Sequence, residues 1–103
     1  MTDQTHAFES LAEAERLLAL AEQDPSMAAE AAAAALRGLL EEWGEVPRGD
    51  TVVALLEQAA EADHTLLDFR AEAAVLDRFE SIPDAAARAA IFVDAARARL
   101  ANI

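Results

Sequence analysis

The chain has 103 residues, of which 20 are acidic and eight basic, all eight being arginine, so its formal net charge at pH 7 is −12. This balance argues against wrapping nucleic acid, because phosphate binding needs a basic surface. Cysteine is absent, which excludes disulfides, thiolate chemistry and the usual sulfur ligands of zinc.

A chain of this length is expected to form one domain, residues 1–103, around a single core. Its first residues are polar and acidic, and no apolar run reaches the roughly 18 residues of a membrane span. A basic segment followed by an apolar run, the mark of a signal peptide, is missing. We therefore expect a cytoplasmic protein.

Composition favours helix, since Ala and Leu supply 28 and 13 residues and only three Gly and three Pro interrupt them. The first helix is predicted over residues 5–22. Asp24 and Pro25 then indicate a cap and the first position of a second helix, which ends at Gly44. The side chains expected inward are, in the first helix, Ala7, Phe8, Leu11, Ala14, Leu17, Leu18, Leu20 and Ala21, and in the second, Ala28, Ala32, Leu36, Leu39 and Trp43.

Residues 45–49 form the clearest loop. Asp50 or Thr51 can cap a short third helix, and Thr65 can begin a fourth that runs to about Phe79. Residues 81–84 break that helix, and a last one is predicted over residues 85–100. In the third helix, the side chains expected inward are Val52, Leu55, Leu56 and Ala59. In the fourth, they are Leu66, Phe69, Ala73, Leu76 and Phe79. In the last, they are Ala89, Phe92, Ala96, Leu100 and Ile103.

Four long helices and one short helix, with no alternating run long enough for a strand, predict an all-α fold. Its expected architecture is an antiparallel up-and-down four-helix bundle with one extra short helix.

The order of these segments resembles the HEPN domain family. Residues 35–40 (Ala-Leu-Arg-Gly-Leu-Leu) match the end of its Ala-rich helix, residues 45–49 match its Gly/Pro loop, and residues 50–56 (Asp-Thr-Val-Val-Ala-Leu-Leu) match its third-helix motif. Residues 76–79 (Leu-Asp-Arg-Phe) and 82–85 (Ile-Pro-Asp-Ala) are similar to its final turn. The resemblance extends from about Ala12 to Leu100. It implies a helical bundle and, for accessory members, binding of a nucleotide or association with a minimal nucleotidyltransferase, as in toxin–antitoxin-like pairs.

The chain departs from the family at positions that matter for chemistry. Asp50 stands where the family has His, and Ala33 and Ala34 stand at usually basic positions. Catalytic HEPN ribonucleases place a His about four to six residues after an Arg, but neither His6 nor His64 follows an Arg at that spacing. No general base is therefore positioned beside a phosphate-stabilising cation, and we expect a non-catalytic module without a metal or cofactor.

Five residues are the candidates for binding a ligand or partner. Arg37, Arg70 and Arg78 present guanidinium groups suited to phosphate or carboxylate, although each can instead pair with Glu41, Asp77 or Glu72 on a neighbouring turn. Trp43 and Asp50 complete the set, although the position of Trp43 at the end of the second helix favours a core or rim residue over a ligand platform. His64 is expected as a cap or an exposed side chain.

Two carboxylate groupings could gather cations. Asp63, Asp68, Glu72 and Asp77 form the first, and Glu13 with Glu30 the second, but acidic residues on a helical bundle usually face water and the Glu-x-x-His pair of di-metal bundles is absent.

Three functions stay open: a HEPN-like accessory module, an acidic helical adaptor that acts through homo- or hetero-oligomerisation, and a diverged HEPN ribonuclease toxin. The Ala-rich outer helices and the high apolar content favour a homodimer through the first or last helix. No direct nucleic-acid or membrane binding is expected.

Overall fold

The computed structural model describes the backbone of residues 2–78 and 84–101 and the side chains of residues 9–78 and 84–101. Within these residues the fold is all-helical. The α-helices are α1 (Thr2–Ala21), α2 (Met27–Glu42), α3 (Val52–Ala60), α4 (Arg70–Leu76) and α5 (Ala85–Leu100), and a 3-10 helix, His64–Phe69, precedes α4. None of the described helices combines the length and apolar character needed to cross a bilayer.

Helix α2 lies at the centre and packs against α1, α5 and α3. Ten of its 16 residues are buried, and six of these ten are alanine. Wherever a contact position carries only a methyl group, the neighbouring helix can approach closely. The charged residues Glu30 and Arg37 are seven positions apart, so they share the one face of α2 that its neighbours leave open.

Helices α1 and α2 form an antiparallel hairpin. The predicted cap, Asp24, accepts hydrogen bonds from the Ser26 backbone N–H at 3.2 Å and its hydroxyl at 2.6 Å, but α2 itself begins only at Met27. At the far end of the hairpin the Ser10 hydroxyl donates to Glu41 Oε1 at 2.6 Å. Ser10 is therefore a link between the two helices.

The predicted end of α2 at Gly44 is confirmed. Gly44 has φ +76°, the Gly44 N–H donates to the Glu41 carbonyl at 3.1 Å, and the Glu45 N–H donates to the Leu40 carbonyl at 2.9 Å. This pair of bonds is a Schellman motif, in which a glycine adopts the left-handed conformation without a steric penalty. The chain consequently leaves α2 abruptly and enters the loop of residues 45–50.

That loop is held by Gln58 of α3, whose side chain is only 6% exposed. Its amide nitrogen donates to the Val46 carbonyl at 2.9 Å and to Glu45 Oε1 at 3.2 Å, and its amide oxygen accepts from the Arg48 N–H at 2.9 Å. A buried amide with all of these groups paired stabilises one loop conformation. Gly49 then passes so close to α3 that an added Cβ would lie 2.8 Å from the Ala54 Cβ.

Three side-chain acceptors satisfy the beginning of α3. The Thr51 hydroxyl accepts from the Ala54 N–H at 3.1 Å, which confirms Thr51 as the cap. Asp77, which follows α4, accepts from the N–H groups of Val52 and Val53 with its two carboxylate oxygens, each at 2.9 Å. The first helical N–H groups lack partners within the helix itself, and the helix dipole favours a negative charge there. Asp77 therefore joins the end of α4 to the start of α3.

The predicted fourth helix, residues 65–79, is wrong as a single element, because a 3-10 helix and the short α4 replace it over the described residues. In a 3-10 helix residues three apart eclipse each other. This geometry turns both Leu66, which is buried, and Phe69 toward the core, where the Phe69 ring meets Phe92 edge-on at 6.1 Å. The described chain thus has three long helices in place of the four expected, and the predicted core position Phe79 lies outside the described residues.

The last helix is confirmed at its predicted bounds, and its expected inward residues from Ala89 to Leu100 are buried. Ile103 lies outside the described residues, as do residues 81–83 of the predicted break and the side chains of Ala7 and Phe8. The inward positions expected for α2 and α3 are buried or, for Trp43, half-buried. Leu20 is the exception in α1, because 46% of its surface is exposed.

The carboxylate of Asp77 gives a test of this arrangement. We expect Asp77→Ala to lower the free energy of unfolding by about 1–3 kcal/mol, because two helix N–H groups lose their acceptor. Asp77→Asn, which keeps one carbonyl oxygen, should cost less. Chemical denaturation measures both, with Asp68→Ala at an exposed position as the control. Equal stability of Asp77→Ala and Asp68→Ala would contradict the role of Asp77.

Candidate functional site

A groove of about 720 Å³ lies between α1, α2 and the segment that begins α3. Ala29 and Ala33 of α2 contribute small side chains to it, and Leu17, Leu20 and Met27 add larger apolar ones. The remaining lining residues are Glu13, Arg16, Glu30, Arg37, Asp50, Thr51, Val52 and Asp77. The groove thus combines an apolar surface with a charged border, which is the usual composition of a binding site.

The acidic side chains of the groove differ in their partners. Glu13 accepts from Arg16 Nε at 2.9 Å, and this hydrogen bond lowers the pKa of the Glu13 carboxyl group. Asp77 is engaged by the backbone of α3. Glu30 and Asp50 are exposed and have no hydrogen-bond or ion-pair partner among the described residues. Four carboxylates and two arginines line the groove, so its lining has a net charge of −2.

Arg37 is the second cation of the groove. It is half-buried, and within residues 9–78 and 84–101 its guanidinium pairs with no carboxylate and donates no hydrogen bond. The predicted pairing with Glu41 is wrong because Glu41 accepts the hydroxyl of Ser10 instead. A half-buried guanidinium with no acceptor can offer several donors to a carboxylate or carbonyl of another molecule.

Of the five candidate residues, the structure brings only Arg37 and Asp50 to the groove. Arg70 donates to Glu57 of α3 at 3.0 Å in an exposed ion pair, and so to none of the three carboxylates expected as alternative partners. The Arg78 side chain is exposed and has no hydrogen-bond or ion-pair partner among the described residues. Trp43 is half-buried against the core at the end of α2, in the rim position considered for it.

Three carboxylates of the first grouping, those of Asp63, Glu72 and Asp77, bond to other elements, whereas Asp68 is exposed. Glu72 accepts from Arg88 of α5 at 2.7 Å, and Asp63 accepts from Arg99 of α5 at 2.7 Å and from the Thr65 hydroxyl at 2.5 Å. His64 is exposed, and the cap at this junction is Asp63. In the part of the chain that the structure describes, no three acidic or histidine side chains are placed to hold a metal ion.

Sequence reasoning missed the groove itself, although α2 carries a signal for it. Glu30 and Arg37 are seven residues apart on a helix that is otherwise nearly all apolar, so the face they share had to reach the surface. Leu20 was missed because it continues the apolar stripe of α1. Its exposure in the groove is a property of the tertiary packing, which no local pattern specifies.

Comparison of the chain with protein-family models, with curated proteins and with solved structures gives no match.

The interaction of Asp63 with its neighbours predicts a pH dependence. Hydrogen bonds from the Thr65 hydroxyl and from Arg99 lower the pKa of the Asp63 carboxyl group. Because the folded state then holds this proton less tightly than the unfolded state, whose Asp pKa is about 3.9, the resulting stabilisation is present above that value. It is lost as the pH falls through the lower pKa of the folded state.

We therefore expect the difference in free energy of unfolding between the wild-type protein and Asp63→Asn to shrink between about pH 6 and about pH 3. Urea denaturation at several pH values measures this difference. Thr65→Ser keeps the hydroxyl and should leave the pH dependence unchanged. A difference between wild type and Asp63→Asn that stays constant over this range would contradict the assignment.

Proposed function

We propose that this protein is a non-catalytic binding module that holds a partner protein in the groove between α1, α2 and the start of α3. The observation that carries the proposal is the combination of Arg37, a half-buried guanidinium without a partner, with an exposed apolar side chain, Leu20, in the same groove. Neither feature stabilises the isolated chain, and both suit a second molecule that offers apolar surface and an acceptor.

A protein suits this groove better than a nucleotide. A nucleotide brings phosphates, whose charge is best met by clustered cations. Here Arg37 shares the groove with four carboxylates, and the only other cation, Arg16, is bonded to Glu13. Negative charges in the same groove repel a phosphate, so the four carboxylates oppose nucleotide binding. The nucleotide expected from the HEPN resemblance therefore finds less support than a protein partner.

We propose further that this module is HEPN-like, with a four-helix-bundle architecture. Its proposed partner is then a nucleotidyltransferase-like protein. One contact supports this resemblance: two of the segments that carry it, the one that contains Val52 and Val53 and the one that contains Asp77, are joined by hydrogen bonds between these residues. An acidic adaptor outside that family would use the groove in the same way. The identity of the partner distinguishes the two, and RNA cleavage by the purified protein would favour the ribonuclease toxin over both.

Two leucines provide a matched test of the groove. Leu20, in the groove, is 46% exposed, and Leu67, in the 3-10 helix and outside the groove, is 47% exposed. We expect Leu20→Glu to reduce partner binding by about tenfold or more, because a carboxylate would be buried against apolar partner surface. Leu67→Glu makes the same chemical change and should leave binding intact.

The measurement is affinity capture of the tagged wild-type protein and both variants from native cells, quantified by mass spectrometry. A near-stoichiometric protein that is lost with Leu20→Glu and retained with Leu67→Glu supports the proposal. Loss with both variants, or with neither, removes the groove as the binding site. Circular dichroism and thermal melting establish that both variants fold.

A second copy of this chain is a further outcome of the same test. If sedimentation gives a mass of two chains for the wild-type protein and of one chain for Leu20→Glu, the groove is the interface of the homodimer predicted from the sequence. A dimer that survives Leu20→Glu places self-association elsewhere, as expected for contacts through the outer faces of α1 or α5.

A further inference from the structure

We infer that the occupant of the groove is an amphipathic helix of a partner protein, with an apolar face and basic residues along its flanks. This inference rests on the proposed function and adds the chemistry of the partner to it. It depends on three properties of the groove: its shape and length, the partners of its carboxylates, and the position of Arg37.

Shape favours a helix. The groove follows α2 from Met27 to Arg37, a distance of roughly 15 Å at 1.5 Å per residue, or about three helical turns. Ala29 and Ala33 line its α2 side, where small side chains allow a second helix axis to approach to about 8–10 Å. Leu17 and Leu20 of α1 stand beside them and can contact apolar residues that recur every three or four positions on the incoming helix.

Charge favours basic flanks. Glu30, on α2, and Asp50, before α3, come from different elements that border the groove, and both are exposed without partners among the described residues. An Arg or Lys on the incoming helix could pair with each of them. The whole chain carries a net charge of −12, so a basic segment would also be steered toward it from a distance.

Arg37 requires that the incoming helix also carry one acceptor, either a carboxylate or a carbonyl group. It lies seven residues after Glu30 on the same face of α2, about 10 Å farther along the groove. The best-fitting helix therefore carries its basic residues opposite Glu30 and Asp50 and offers an acceptor near Arg37, such as a single carboxylate or its own last carbonyl groups.

A second copy of the chain fits this description poorly. Its most basic helix is α5, but the three arginines of α5 are already engaged: Arg88 with Glu72, Arg97 with Glu15 and Asp94, and Arg99 with Asp63. Docking α5 of another copy in the groove would have to break these ion pairs. A separate basic protein is not subject to that cost.

The test is a selection from a displayed library of amphipathic helical peptides of about 18 residues, long enough to form helix in isolation. The library samples positive, neutral and negative flanks equally. Biotinylated wild-type protein is the target, and Leu20→Glu is used to remove peptides that bind outside the groove. We expect the enriched peptides to carry net positive charge on their flanks.

An enriched peptide is then titrated against two charge-reversal variants at physiological ionic strength. Glu30→Arg changes the groove, and Asp68→Arg makes the same kind of reversal at an exposed position of the 3-10 helix outside it. We expect Glu30→Arg to weaken binding about fivefold or more and Asp68→Arg less than twofold, because distant charges are screened beyond roughly 8 Å.

Equal weakening by the two reversals would show general attraction to an acidic protein and would overturn the inference. Enrichment of neutral or acidic peptides that still depend on Leu20 would overturn the claim that the partner helix has basic flanks. The groove would remain a protein-binding site. Failure to enrich any groove-dependent helix would overturn the helical occupant. The cellular capture with Leu20→Glu and Leu67→Glu is independent of all three results, so it still decides the proposed function.

Discussion

Burial of an alanine-rich helix among its neighbours is the constraint on which the rest of this fold depends. Helix α2 packs against α1, α5 and α3, and these neighbours can approach closely because six of its ten buried residues are alanine. Each buried methyl contributes only about 0.8 kcal/mol, so the stabilisation comes from the number of such positions. A larger side chain at a position such as Ala32 or Ala35, which have no exposed surface, would have to separate two helices.

The shorter elements depend on a different interaction. Helices α3 and α4 have nine and seven residues, too few to be stable by themselves in water. Side-chain hydrogen bonds therefore support the start of α3: Asp77, which follows α4, accepts from its first N–H groups, and Gln58, within α3, holds the loop that leads into it. These polar contacts place the start of α3 beside α2, and so they also set the width of the groove.

The sequence predicts those parts of the fold that depend on local pattern. Gly44 ends α2 and Thr51 begins α3 as expected, because glycine and threonine act through their own backbone or hydroxyl within a few residues. The prediction of a single fourth helix was wrong because the inward direction of Leu66 and Phe69 belongs to the tertiary packing, which includes the edge-on contact of Phe69 with Phe92 of α5. Local spacing alone could not distinguish a 3-10 helix from an α-helix.

The candidate site was predicted less completely, and for the same reason. Arg37 and Asp50 were chosen by residue type, and both line the groove, but Arg70 and Arg78 were chosen in the same way and lie elsewhere. A charged residue can pair with any opposite charge that the fold brings near it, as Arg99 does with Asp63, 36 positions away. Which charges remain unpaired is therefore a property of the tertiary structure.

The paired and unpaired charges of this fold lie in different places. Much of the fold's arginine is committed to carboxylates on other elements, which fixes α5 against α1, the 3-10 helix and α4. Beside α2 the pattern changes, since Glu30, Arg37 and Asp50 border one groove and are left without partners among the described residues. Charges that only kept the protein dispersed would not need to surround an apolar surface. Their position around Leu20 and the small residues of α2 is instead the arrangement that would orient a second helix, with apolar contact supplying affinity and the charges supplying direction.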